Sequence, residues 1–320
     1  MENHSVGKLL GFTTMIDGDV FAWPPAPATS TGRLSDRGVL ALTGPDARTF
    51  LQGLITNDVR RVGPGQAIYA LFLTPQGKFL HELFVAAQVD AEGAETLLIE
   101  TEAARAPDLL RRLSLYKLRS KVALADVSGQ WAVAVALDAT SNGAPGTAWT
   151  VGTPDGPALV YADPRHAGLG LRLLLPRAAA EALPDATDGY VRRRLELGVP
   201  DGSRDLVPEK SIPLENGMDT LSAVAFDKGC YMGQELTART HYRALIRKRL
   251  MRVEAPDGAA LPAPGTPVVW GEREVGEMRS AVGARGLALL RVEDVEKPEA
   301  ALTSGGVPLT VNGLAPAPRP

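Results

Sequence analysis

Lys228-Gly229-Cys230-Tyr231-Met232-Gly233-Gln234-Glu235 holds the one cysteine of a 320-residue chain. A single thiol forms no internal disulfide, and it cannot complete a structural zinc or iron–sulfur site, which takes about four protein ligands. Cys230 is therefore either a small inert hydrophobe or a reactive group that meets its partner from outside the chain. Lys228 sets a cation two residues from the sulfur, and Gly229 opens backbone space beside it. A helix over Tyr231–Arg239 would place Cys230 at its positive end, which also favours a thiolate.

Outward from this segment, composition removes several classes of function. With 45% hydrophobic and 22% charged residues, the chain carries enough apolar content for a true core, and its length predicts about two domains. A net charge of -3 argues against general nucleic-acid affinity. No apolar run approaches the roughly 20 residues that span a bilayer. Met1 to Val20 lacks the pattern of a secretory signal, and Glu2, Asp17 and Asp19 with no arginine before Arg33 do not suit a mitochondrial presequence. A bacterial cytoplasmic protein, or a mitochondrial matrix protein after processing, is expected.

Three prolines make Trp23 to Gly32 a loop. Val39 to Leu42 reads as a strand, followed by a helix capped by Thr43 with Phe50, Leu51, Leu54 and Ile55 on its apolar face. Ala67 to Thr74 and Phe79 to Ala87 read as strands joined through Pro75-Gln76-Gly77, and Leu97 to Ile99 as another. Glu102 to Leu118 reads as a helix with Leu109, Leu110, Leu113 and Leu118 inward. Trp131 to Leu137, Leu159 to Tyr161 and Gly170 to Leu175 are strands. Arg177 to Leu183 and Asp188 to Leu197 are helices, the second ended by Gly198. Beyond Leu250, short β segments recur at the spacing of a small barrel, and Ala315 to Pro320 is expected to fray. Strands then helices, twice, followed by an all-β tail, make the fold class α+β. The division falls at 1–248 and 249–320.

The cysteine octapeptide resembles the signature of the YgfZ-type folate-binding proteins, which serve iron–sulfur protein maturation and share ancestry with the glycine-cleavage T-protein. Cys230 to His241, followed by Ile246-Arg247-Lys248-Arg249, is most similar to the branch of the mitochondrial iron–sulfur assembly factor. Phe50 to Val59 and Leu73-Thr74-Pro75-Gln76-Gly77-Lys78 match two further family motifs. The resemblance implies a GcvT-like ring of three subdomains, two of them ferredoxin-like and interleaved and the last a barrel, around a central folate. It also implies an accessory factor that acts through Cys230 and Lys228. A cluster such as [2Fe–2S] would be bound jointly by Cys230 and a partner, an A-type iron–sulfur carrier protein.

For tetrahydrofolate or a related folate, the resemblance points to Glu196, whose carboxylate suits the paired N–H groups of a pterin. Arg239 and Arg247 are expected on its carboxylates, with Tyr231 and Asn57 nearby. A solvated helix face for Glu196 and turn chemistry for Asn57 are the plain readings beside these. The alternative function is a tetrahydrofolate-dependent aminomethyltransferase. T-proteins carry an Asp-Asp pair where this chain has His81-Glu82, so that chemistry would rest on Glu82, with His81 a solvent-facing strand residue. The cations from Arg239 to Arg252 lack the interleaved aromatics of a nucleic-acid surface.

Overall fold

The computed structural model describes residues 12–16, 19–23, 31–139, 143–242, 246–296 and 301–315. A hairpin of β1 (Phe12–Ile16) and β2 (Asp19–Trp23) comes first. Next are β3 (Thr31–Arg33), β4 (Arg37–Thr43), α1 (Ala47–Gln52), β5 (Ile68–Leu73), β6 (Phe79–Val89), β7 (Glu95–Glu102), α2 (Ala106–Tyr116) and β8 (Ala123–Asp126). Apart from β3, these strands build an antiparallel sheet in the order β5-β6-β7-β4-β8. A second sheet uses β9 (Trp131–Ala136), β10 (Ala148–Thr153), β11 (Gly156–Ala162) and β12 (Leu171–Pro176), in the order β10-β11-β12-β9-β3. Because β3 pairs with β9 before the chain enters the first sheet, the two sheets are interleaved in sequence.

The helices α3 (Arg177–Ala180), α4 (Thr187–Leu197), α5 (Gly202–Asp205) and α6 (Gln234–Tyr242) lead to the barrel. It closes in the order β13-β16-β15-β14-β17-β18, from β13 (Lys248–Glu254), β14 (Pro267–Trp270), β15 (Arg273–Val282), β16 (Arg285–Arg291), β17 (Leu302–Ser304) and β18 (Val307–Leu314), with α7 (Val292–Val295) after β16. Closure leaves no open edge on this unit.

Strand alternation divides the core. Tyr69, Leu71 and Phe84 of the first sheet share one cluster with Val133, Tyr161 and Leu174 of the second, so those faces pack on each other. The opposite face of the first sheet, with Phe72, Leu83 and Ile99, is covered by α1 and α2.

Several local expectations shift. Helix α1 begins at Ala47, not behind a Thr43 cap, because Gly44 turns the chain at φ 108°. The expected 102–118 helix splits into a 3-10 turn and α2, and Leu118 leaves it at φ 41° to stand 89% exposed rather than inward. Arg177–Ala180 is shorter than expected. Helix α4 ends as expected: Gly198 takes φ 70°, and the Val199 N–H returns to the Arg194 carbonyl at 2.7 Å. Ala315 is buried and its N–H donates to the Leu250 carbonyl at 2.9 Å; 316–320 lie outside the described residues. So do 24–30 of the expected proline loop, whose flanks are strands β2 and β3.

Candidate functional site: the cysteine loop

Cys230 is exposed. Everything around it is fastened. Lys228, itself buried, points its ammonium into the end of α1, where Nζ donates to the carbonyl oxygens of Gln52 (2.8 Å), Ile55 (2.6 Å) and Asn57 (2.7 Å). Three N–H bonds to three carbonyls use every donor of a lysine. The carbonyls at a helix C-terminus carry its negative dipole end, so the cation is well placed there. Burial lowers the Lys228 pKa to about 8, which leaves it a cation at neutral pH. Lys228 thus anchors the loop, with its donors committed to the backbone.

The other fastenings come from the same motifs. The Met232 N–H donates to the Gly53 carbonyl at 3.0 Å. Gly229 and Gly233 adopt φ 93° and 80°, left-handed values that bracket the Cys-Tyr-Met step. Tyr231 is buried between them, its ring 5.2 Å from the Lys228 Nζ, and burial pushes its pKa up to about 12. Phe226 and His241 stack at 3.9 Å, closing the segment from both sides. Helix α6 starts at Gln234 rather than Tyr231, because the positive φ of Gly233 interrupts any earlier turn. Cys230 is therefore four residues ahead of the helix and not at its first turn.

The motif Phe50–Val59 forms the floor. Thr56 Oγ1 donates to the Ala223 carbonyl at 2.6 Å and accepts from the Leu71 N–H at 2.8 Å. Asn57 Nδ2 donates to the carbonyls of Tyr69 (2.8 Å) and Ser222 (2.7 Å). Asp58 accepts from the Arg60 side chain and backbone, which hold its carboxyl far below the usual range.

The five residues expected to hold a folate are not brought together. Asn57 and Tyr231 are buried in the loop's supports. Arg239 is exposed on α6 and paired with Glu235 at 2.6 Å. Arg247 is exposed ahead of β13. Glu196 lies on the outer side of α4 facing the barrel, 3.6 Å from Arg193 and 3.2 Å from Arg285. It is the neighbouring Arg194 that turns inward, donating to Asp205 at 2.7 Å.

Between the two sheets lies a set of charges of which sequence reasoning singled out Glu82 alone. Arg37, Arg165 and Arg172 surround the Phe84 ring, with guanidinium carbons 5.5, 4.7 and 4.2 Å from its centre. Arg37 donates to Glu82 (2.5 Å) and Glu100 (2.8 Å), Arg172 to Glu100, and Arg165 to Asp163 (2.8 Å). The Tyr69 hydroxyl and the Gly202 N–H also donate to Glu82, each at 3.0 Å. Glu82 is thus an acceptor with its partners in place, and burial raises its pKa. The space between the two sheets here is filled by the chain's own side chains. The one available signal was Arg172 in Leu171-Arg172-Leu173-Leu174, an arginine on the apolar alternation of a strand.

His81 faces the other side of β6. It is fully buried, with Nε2 3.0 Å from Asp108 Oδ2 on α2, and not solvent-facing as expected. Burial, reinforced by Arg105, lowers its pKa to about 4. Among the described residues, no group of three or more His, Cys, Asp or Glu side chains is arranged to hold a metal ion. Among them too, no helix is long and apolar enough to cross a membrane.

Residues 34–137 match the family described as the GCVT N-terminal domain, and residues 247–318 match the CAF17 C-terminal beta-barrel domain. Iron–sulfur cluster assembly factor IBA57, mitochondrial, of Mus musculus is 34% identical over 98% of this chain and 90% of its own length. The chain belongs to the IBA57 iron–sulfur cluster assembly factor family. The human IBA57 protein is also 34% identical, over 89% of this chain and 83% of its own. In fold, this IBA57-family chain is similar to the glycine cleavage system aminomethyltransferase T of Bartonella henselae, with a TM-score of 0.70 at 14% identity, covering 88% of this chain and 84% of that one. The IBA57 family member is thus GcvT-like, with a six-stranded C-terminal barrel.

Proposed function

We propose that this protein serves the maturation of iron–sulfur proteins by presenting Cys230 to a cluster whose remaining ligands belong to a partner. One observation carries the reading: the sole thiol is exposed on a segment held at Lys228, Tyr231 and Met232. A lone sulfur on a rigid mount suits a shared ligand, because the geometry is set before the partner arrives and less ordering entropy is lost on binding. The names of the IBA57 relatives support the same process. The ligand count requires a second protein or a small thiol to supply the rest of the shell. An A-type carrier holding a [2Fe–2S] cluster is the partner proposed. In a eukaryotic cell the place would be the mitochondrial matrix, in keeping with the relatives' names, and in a bacterium the cytoplasm.

No step of this reading runs through folate. Nor does an aminomethyl transfer fit, since Glu82 is enclosed by Arg37, Tyr69 and Gly202. The test is anaerobic mixing with a [2Fe–2S]-loaded A-type carrier, followed by visible circular dichroism and sizing, for wild type and Cys230→Ser. A cluster-dependent heterocomplex that the serine variant fails to form is expected. Equal complex formation by both would remove the reading.

A further inference from the structure

A cleft of about 430 Å³ opens between the β5–β6 turn, residues 207–215 and the barrel. That size lies within the range of small-molecule sites. Lys78, Lys210, Lys248 and Arg279 line it, and Glu215 and Glu277 are its only carboxylates. Arg279 is 7% exposed; its Nη2 is 2.8 Å from Glu277, while its buried Nε has no hydrogen-bond partner among the described residues. A buried guanidinium N–H without an acceptor is costly, and the natural remedy is an oxyanion. None of the three lysine ammonium groups forms an ion pair or hydrogen bond within the described residues, and Lys78 and Lys248 act on the Glu215 carboxylate only at longer range. Four cations thus converge on two carboxylates, one of which Arg279 already occupies.

We infer that this cleft binds a small multivalent oxyanion, a metabolite bearing phosphate or several carboxylates. Three walls from separate parts of the chain enclose the position, which favours a compact solute. The lysines supply point charges, and Arg279 supplies the directed donor that orients the ligand. Glu215 is the feature that opposes binding: burial already holds its carboxyl above the usual range, and an incoming anion adds to that pressure. The inference is independent of Cys230 and of any cluster.

Calorimetric titration of the full chain at low salt tests it, with pyrophosphate as the phosphate probe and citrate as the carboxylate probe. One-to-one saturable binding of at least one is expected, and the tighter of the two identifies the source of the anion. Lys78→Gln and Lys248→Gln should each weaken it about tenfold, the scale of one charge-assisted bond. Glu215→Gln should tighten it. Lys117→Gln and Lys121→Gln, exposed on the far side of the first sheet, should leave it unchanged. Arg279→Gln should weaken it further, and if that variant fails to fold the partly exposed lysines still decide the matter. Absence of saturable binding by both probes would overturn the site. So would equal losses in the control lysines, or no gain from Glu215→Gln.

Discussion

Gly77 and Gly233 meet backbone to backbone. A Cβ built on Gly77 would stand 2.7 Å from the Gly233 carbonyl oxygen, and one on Gly233 would stand 2.5 Å from the Thr74 carbonyl oxygen and 3.0 Å from the Gly77 Cα. Both residues also hold positive φ, 74° and 80°. The turn after β5 and the loop that carries Cys230 are locked by a contact only glycine permits. Gly233→Ala should cost about 1–3 kcal/mol through strain and displacement of the loop. Thermal unfolding measures this, and an unchanged Tm would show that the contact is not tight.

Lys228 makes a tripod, and a planar guanidinium does not reproduce it. Lys228→Met should destabilise the protein by about 2–4 kcal/mol, by removing charge-assisted bonds and leaving three carbonyls without their donor. Lys228→Arg should be nearly as damaging. If Lys228→Arg retained full stability, the anchor would not depend on the three carbonyls.

His81 gives a pH dependence whose direction is fixed. Its pKa is lowered from 6.5 to about 4 in the folded protein, so folding favours the neutral ring. That contribution is complete above pH 6.5 and is lost as pH falls towards 4, amounting to about 3 kcal/mol. Urea unfolding between pH 7 and 4 should therefore show a steeper loss for wild type than for His81→Phe. Parallel curves would remove His81 from the account.

Arg172 lies between Glu100 and Asp163, all three fully buried. Arg172→Leu should cost about 3–5 kcal/mol, because Glu100 and Asp163 each lose one of two counter-charges, leaving only Arg37 and Arg165, in a place that water does not reach. Adding Glu100→Gln should recover part of the loss, as the stranded charge is then removed. The opposing carboxylates Glu100 and Asp163 are held below their ordinary range, chiefly by Arg172 for the first and Arg165 for the second, with burial acting against both. A double variant less stable than Arg172→Leu alone would contradict this.

Much of the layout was legible in advance. The apolar runs of β5, β6 and β12 and the Gly198 stop of α4 are local signals, and they fall where the pattern indicates. The Cys230 segment stood out equally, from a count of one thiol. Lys228 was read by its nearness in sequence to the sulfur, whereas its partners lie more than 170 residues away. Glu196 was chosen for its chemistry, but a helix turns by about 100° per residue, and the inward position went to Arg194.

The sequence alone determined most of the elements and their order, because periodicity and composition act within a few residues. Only the tertiary structure decided which charges face each other. Arg37, Glu82, Glu100, Asp163, Arg165 and Arg172 come from strands and turns far apart in the chain, and burial between two sheets is what makes each of them depend on the rest.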